Sequence, residues 1–269
     1  MAVAAGTGME LDGIGLERRF RRPDGTVLQA LGPLDLSLRA GEFFSVIGPS
    51  GCGKSTLIDI LSGLSAPDSG TLAADGASYA GIVPKGVGLV LQEDASFPWL
   101  SVWDNVAFGL RREGRDAAEI KRSVAHAIGF MGLHDFAHAR PAQLSGGMRQ
   151  RMCIARTLVM KPRFLLLDEP FGALDQQTRL LMADELLRLW RETGATVLLI
   201  THSLDEAALL SDRIGVMSAR PGRILEIVET GWPAKRDSTI ASTPAFGRIT
   251  ARLWDRLRGE TMQSMRRQG

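Results

Sequence analysis

Gly48-Pro-Ser-Gly-Cys-Gly-Lys-Ser-Thr56 is a glycine-rich stretch between two segments of different periodicity. Before it, residues 43–47 form a short apolar run suited to a buried strand. After it, residues 54–61 have the spacing of a helix. A strand, a G-x-x-x-x-G-K-[ST] loop and a helix in that order make a P-loop, which cradles nucleotide phosphates. Glycines let the backbone curl, so that successive N–H groups point at one anion at the positive end of the following helix. The loop residues Gly48, Pro49, Ser50, Gly51, Cys52, Gly53, Lys54, Ser55 and Thr56 are therefore candidate phosphate contacts. Lys54 would pair with the β- and γ-phosphates, and the Ser55 hydroxyl would ligate Mg²⁺. The alternative is a glycine-rich turn that binds nothing, and it leaves the register of strand, loop and helix unexplained.

Outward from this loop, the whole chain sets bounds. Its 269 residues suffice for one large domain or two small ones. The composition is that of a globular protein, 45% hydrophobic and 23% charged. A net charge of only +2 gives no global argument for nucleic acid. No apolar run approaches the roughly 20 residues needed to cross a bilayer. The first residues lack the charged and apolar regions of a signal peptide, so the sequence predicts a soluble, cytoplasmic protein. Residues 1–9 are small and predicted to fray, with Met9 an alternative start. The two cysteines, Cys52 and Cys153, give neither a disulfide framework nor metal spacing. Cys153 reads as a small buried apolar residue in a helix. Cys52 has two readings: a thiol whose pKa is lowered by the loop amides, making it open to alkylation that ATP would block, or a small residue tolerated in the loop.

Along the chain, residues 10–47 read as strands and turns, with a turn at 23–25 and alternating apolar positions over 27–38. Short strands follow at 71–76 and 86–91. From 95 to 160 the apolar positions recur at helical spacing, as in Val102, Val106 and Leu110, or Ile120, Val124, Ile128 and Met131. A helical segment is thus inserted between strands. The strand pattern returns at 164–168, followed by a helix over about 176–192, a strand at 196–201 and a hairpin spanning 213–229. Alternating strands and helices with apolar strands predict a mostly parallel sheet covered on both faces. In the last segment, Phe246, Ile249, Leu253, Trp254 and Leu257 share one helix face, and Arg248, Arg252, Arg256 and Arg258 decorate the rest. Such a helix can lie on a membrane or dock on its own domain; docking is the favoured reading.

Several residues outside the loop carry chemistry. The apolar run 164–167 ends in Asp168 and Glu169. A strand that delivers an Asp to the sheet's edge in a P-loop protein places it by Mg²⁺. Glu169 could reach an attacking water, or could merely cap ahead of Pro170. Gln92 ends a strand, where its amide could bridge Mg²⁺, water and the helical insert. His202 also follows a strand and could contact a γ-phosphate. Leu144-Ser-Gly-Gly147 precedes a helical run, and a Ser with two glycines at a helix start is a second anion site. One nucleotide does not need two such sites in one chain, which suggests a dimer.

Together these motifs resemble the ATP-binding cassette (ABC) ATPases. Gly48–Thr56, Gln92, Leu-Ser-Gly-Gly (144–147), the 164–169 strand with its Glu, Ala-Leu-Asp (173–175) and His202 occur in that family's order. The match covers residues from about 10 to 230. The resemblance implies an α/β P-loop NTPase fold of the ABC ATPase type, with a RecA-like core, an antiparallel β subdomain and the helical subdomain inserted at about 95–160. It places the ATPase domain at 10–231 and a C-terminal extension with an amphipathic helix at 232–269. It implies ATP and Mg²⁺ as cofactors, with Ser55, Gln92 and Asp168 at the metal. Two copies would sandwich two ATP molecules head to tail. Each ATP would sit between one chain's P-loop and the other's Ser145, Gly146 and Gly147, with Asp175 linking the two sites. Glu169 would polarise the water and His202 would hold the γ-phosphate. Phe20 falls where the family stacks an aromatic on adenine, although plain sheet packing remains open for it.

A finer resemblance points to importers of nitrate, sulfonate, taurine and related small solutes. It rests on Gln92-Glu-Asp, Phe97-Pro-Trp-Leu-Ser-Val-Trp-Asp-Asn105, Phe171-Gly-Ala-Leu-Asp-Gln-Gln-Thr-Arg179 and Arg220-Pro-Gly-Arg-Ile224. In that group a groove after the Gln receives a short helix of an integral membrane permease subunit. Phe97, Pro98, Trp99 and Leu100 are the candidate contacts, with packing inside the helical insert as the alternative. A separate solute-binding protein would be an indirect partner, and the chain would sit peripherally on the inner face of the cell membrane. The competing readings are a soluble ABC ATPase acting on DNA or ribosomes, a cassette for another solute or for export, and a P-loop kinase or GTPase. The last has no use for the 144–147 motif.

Overall fold

The computed structural model describes residues 8–268. Strands β1 (Leu11–Arg21) and β2 (Val27–Leu38) pair antiparallel across a tight turn. Strand β3 (Phe43–Ile47) then leads through the glycine loop into helix α1 (Lys54–Leu61). Strands β4 (Ser69–Ala74) and β5 (Ala77–Ser78) return to the free side of β1, completing a four-stranded antiparallel sheet in the order β2-β1-β4-β5.

Strand β6 (Val87–Val90) is followed by the helical segment: α2 (Val102–Arg112), α3 (Ala117–Phe130) and α4 (Gly146–Leu158). The chain re-enters the sheet as β7 (Phe164–Asp168) and crosses over through α5 (Gln176–Thr193) to β8 (Thr196–Ile200). It continues through α6 (Leu204–Leu210), the hairpin of β9 (Arg213–Met217) and β10 (Ile224–Glu229), and α7 (Pro244–Gln268). The second sheet has the order β10-β9-β3-β8-β7-β6, parallel throughout except for the antiparallel β9–β10 edge.

Every residue of β3, β7 and β8 is buried, and the side chains alternate between two apolar clusters, one on each face of the sheet. Phe43, Ile47, Leu165, Leu167, Val197 and Leu199 join the cluster shared with the helices of the insert and with α5. Phe44, Val46, Phe164, Leu166, Leu198 and Ile200 join the cluster under α1 and the antiparallel sheet. The continuous apolar runs in the sequence follow from this two-sided burial.

Sequence and structure differ at four places. Gly8 and Met9 are held rather than frayed: the Gly8 carbonyl accepts from Arg163, Met9 N–H donates to the Arg163 carbonyl, and Met9 is buried. Residues 1–7 lie outside the described residues. The two-residue strand β5 is too short to leave a periodic signal. Helix α6 was not anticipated, although Ser203-Leu-Asp-Glu206 has the form of a capping box. Ser203 does accept from the Glu206 N–H, but the Glu206 carboxylate is engaged by Thr201 and Arg179 instead of returning to the cap. Finally, Trp254 is not on the docked face. Phe246, Leu253 and Leu257 are buried in the larger cluster and Ile249 packs against it, while Trp254 is 54% exposed.

Helix α7 therefore docks on the body of the chain, chiefly against α6. Leu253→Ala should lower stability by about 2–4 kcal/mol, as for a fully buried leucine, and shift the urea midpoint accordingly. Trp254→Ala should leave that midpoint unchanged within error.

Candidate functional site

The parallel register brings β3, β7 and β8 to a common C-terminal edge. Val46 and Asp168 both pair with Ile200, and beyond the strands Glu169 N–H donates to the Ile200 carbonyl at 2.8 Å. The glycine loop, the Asp168–Glu169 pair and His202 therefore leave the sheet side by side. They line a cleft of about 600 Å³ together with Phe20, Ser50, Gly51, Gly53, Lys54, Ser55, Thr56 and Gln92.

The glycine loop has the backbone its sequence requires. Gly53 caps α1 with φ of 112°, and a Cβ there would lie 2.8 Å from the Ala30 carbonyl oxygen. Only glycine combines that conformation with so close an approach. The Lys54 ammonium donates to the Gly48 and Pro49 carbonyls at 2.8 and 3.0 Å, which holds it across the mouth of the loop. Of the two readings of Cys52, the structure favours the small residue tolerated in the loop. Its side chain is buried, and burial pushes the thiol pKa up despite the nearby Lys54 ammonium. That burial disfavours the thiolate form and favours the small-residue reading. Cys153 is buried as well.

The two carboxylates have different surroundings. Asp168 is buried at the strand end, and its pKa is raised to about 6, first by burial and then by the neighbouring Glu169 charge, with Lys54 acting in the other direction. Glu169 sits in the left-handed region with φ of 46°. That conformation is strained for a residue with a side chain, and it turns the carboxylate into the same cleft as Asp168. Its Oε2 accepts from Gln92 Nε2 at 3.1 Å and lies 3.0 Å from His202 Nδ1. The three side chains, contributed by three separate elements, form one polar cluster. Phe20 is 42% exposed, with the Arg18 guanidinium 5.3 Å from its ring centroid.

Ser145, Gly146, Gly147 and Asp175 do not line this cleft. Ser145 caps α4 by accepting from Met148 N–H, and Asp175 caps α5 by accepting from Thr178 N–H at 3.0 Å. The two motifs are adjacent to each other: a Cβ on Gly147 would lie 2.8 Å from Leu174 Cδ2. They make a second, separate surface. The segment after Gln92 connects the two regions. Asp94 pairs with Arg149 of α4 at 2.7 Å, and Gln150 donates to the Leu91 carbonyl at 3.3 Å.

Residues 97–108 expose an aromatic patch. The Phe97 ring packs on Phe108 at 4.6 Å and on Trp99 at 5.7 Å, and Trp99 is 69% exposed. The loop is fixed from below by the fully buried Asn105. Its Oδ1 accepts from Phe97 N–H, and its amide donates to the carbonyls of Phe97, Leu100 and Ser101.

Sequence reasoning did not assign site roles to Asp94, Asn105, Arg149 or Arg220. Arg220 lines the cleft and donates to the Gly51 carbonyl at 3.0 and 2.7 Å. Its signal in the sequence was the Arg-Pro-Gly-Arg turn, whose partner 169 residues away only the fold discloses. Among the described residues no helix is long and apolar enough to cross a membrane.

The family model described as ABC transporter matches residues 31–172. A taurine import ATP-binding protein, TauB, of Roseobacter denitrificans is 46% identical over 218 residues, 81% of this chain and 80% of that one. A putative ATP-binding protein of Brucella abortus is 44% identical over 225 residues, 84% and 86% of the two chains. Among solved structures, the ATP-binding cassette MJ0796, dimeric in a post-hydrolysis state with ADP and Pi, superposes with a TM-score of 0.74 at 28% identity. That likeness covers 81% of this chain and 98% of MJ0796. A strand–loop–helix that presents a glycine loop beside two carboxylates, together with these matches, settles the kinship: the chain belongs to the ABC transporter family and is an ATPase of that family.

Proposed function

We propose that this chain is the ATP-hydrolysing subunit of an importer for a small sulfonate-type solute such as taurine, working with separate permease subunits in the membrane. The observation that carries the reading is the convergence of the glycine loop, Asp168, Glu169, Gln92 and His202 on one cleft. The relatives named for taurine import support the solute class.

In this reading the loop amides and Lys54 hold the β- and γ-phosphates, and Phe20 offers the adenine a flat face. Ser55, Gln92 and Asp168 form a set of oxygen donors suited to Mg²⁺, which keeps several waters and phosphate oxygens among its ligands. A carboxylate whose charge is disfavoured by burial, as in Asp168, fits a site completed by a cation. Ser55, Gln92 and Asp168 would hold Mg²⁺, and the ion would supply positive charge to offset the negative charge of the phosphates during transfer. Glu169 accepts a proton from the water that attacks the γ-phosphorus. The bond to the ADP oxygen breaks, and ADP and inorganic phosphate leave. His202 and Gln92 orient the Glu169 carboxylate, and His202 also faces the γ-phosphate. Catalysis is then chiefly positioning and charge stabilisation.

Ser145, Gly146, Gly147 and Asp175 lie on a separate surface from the cleft, which suits contact with the ATP held by a second copy of this chain. The MJ0796 cassette, solved as a dimer, is a parallel for the pairing of two copies. The exposed Phe97–Trp99 patch, rigid at its base through Asn105, suits a short helix of the permease, and that contact would hold the chain on the inner face of the membrane. A separate solute-binding protein would be an indirect partner.

Three outcomes test this reading. Glu169→Gln should keep ATP binding while ATP turnover falls by orders of magnitude, read by nucleotide binding and phosphate release on one preparation. Asp168→Asn should raise the thermal midpoint of the nucleotide-free protein, because it removes a buried charge beside Glu169, and should weaken ATP binding only when Mg²⁺ is present. Trp99→Ala should leave ATP affinity intact but reduce taurine uptake and co-purification of the permease. Wild-type uptake in that variant would remove the patch from this role.

A further inference from the structure

We propose that the C-terminal helix positions the phosphate loop through Glu260, so that α7 sets the affinity of the cleft for nucleotide. The proposal rests on the ATP reading of the cleft. Arg252, Arg256, Glu260 and Ser264 recur every four residues and so share one ridge of α7. Arg252 and Arg256 both engage the Glu226 carboxylate of β10. One turn further on, Glu260 Oε2 accepts from the Ala219 N–H at 2.7 Å. Ser264, a turn beyond that, borders a hollow of about 370 Å³ with Ser50, Gly51 and Arg220. The ridge thus runs from the edge strand to the flank of the phosphate loop.

The segment that Glu260 grips is the turn on which the loop leans. Ser218 closes this turn: its hydroxyl donates to the Pro221 carbonyl and accepts from Arg223 N–H. Arg220 reaches from it to the Gly51 carbonyl with two hydrogen bonds. Gly222 lies so close that a Cβ would stand 2.3 Å from the Cys52 carbonyl oxygen. The turn is also tied to β2, with Gly222 N–H donating to Ala30 and Gly32 N–H donating to Gly222. Any shift of residues 219–222 therefore moves Gly51 and Cys52, whose amides belong to the phosphate cradle. A carboxylate acceptor on a backbone N–H is a charge-assisted bond, stronger than a neutral one. Glu260 is a contact by which α7 holds this turn, and it acts on nucleotide only through it. It is a positioning residue.

The test uses the full-length chain and reads affinity for Mg²⁺-ATP by calorimetry, amide exchange over residues 48–56, and the thermal midpoint. Glu260→Ala should weaken ATP binding about three- to tenfold, less than the full worth of a charge-assisted hydrogen bond because the loss reaches the nucleotide only through the turn, and speed exchange at Gly51–Lys54. Glu260→Gln, which keeps an acceptor oxygen for the Ala219 N–H, should return affinity to within about twofold of the native chain. Arg252→Ala, which loosens the ridge at Glu226 without touching the turn, should change affinity less than Glu260→Ala does. Native ATP affinity in Glu260→Ala overturns the proposal. So does a loss in all three variants that simply tracks the fall in their thermal midpoints, since that would be general destabilisation. A native chain that bound no ATP at all would instead overturn the reading of the cleft.

Discussion

The parallel register of β3, β8 and β7 is the constraint on which the site depends. These strands are buried on both faces, so their register is fixed twice: once by the ladder and once by which side chains enter which cluster. A slip of one residue would send Phe43 and Phe44 to the wrong faces, and would also withdraw the glycine loop from Asp168. Apolar packing thus sets the spacing of polar groups that do not contact one another through the core. The side chains that line the cleft sit where the strands end because that edge is the first place where backbone and carboxylates can reach water or a ligand.

A second layer of the design lies in how the insert is attached. Gln92 touches Glu169 in the cleft, and two residues later Asp94 holds Arg149 in the first turns of α4. Burial works to raise the Asp94 pKa, but hydrogen bonds from Ser96 and the Arg149 guanidinium outweigh it and keep the carboxyl below its ordinary value. A charged, well-bonded Asp94 makes the segment between cleft and helix a short strut. The helix whose N-terminus carries Ser145 is therefore linked to the cleft by a few residues, even though Ser145 itself lies on a different surface. The chain of contacts from Glu169 to that surface does not pass through the sheet.

The sequence was most legible where local physics and tertiary demand coincide. The strand before the glycine loop, the helix after it and the buried strand ending in Asp168 needed no long-range information, because two-sided burial leaves unbroken apolar runs. The 95–160 segment announced itself by helical periodicity. Two kinds of feature were not legible. One is short elements supported by the fold rather than by pattern, such as α6, whose Glu206 serves Thr201 and Arg179. The other is the sign of an environment. The same loop that lines up amides also buries the Cys52 side chain, and desolvation outweighs the nearby positive charge. Trp254 shows the limit of periodicity in another way: an apolar residue on the flank of a helix stripe can lie beyond the groove the stripe fills.

The Asp168–Glu169 pair shows what the site costs the fold. A left-handed glutamate costs on the order of 1–3 kcal/mol, and a buried aspartate beside it adds desolvation and like-charge repulsion. Neither is relaxed locally, because Glu169 N–H is tied to Ile200 and the preceding five residues are buried in β7. The core over-determines the backbone at this point, so the strain persists instead of spreading. The consequence is directional. An alternating strand would send consecutive side chains to opposite faces, yet the positive φ at Glu169 turns its carboxylate back beside Asp168, toward Gln92 and His202. The strained residue is what allows one short strand to supply both a buried and a cleft-facing carboxylate to the same site.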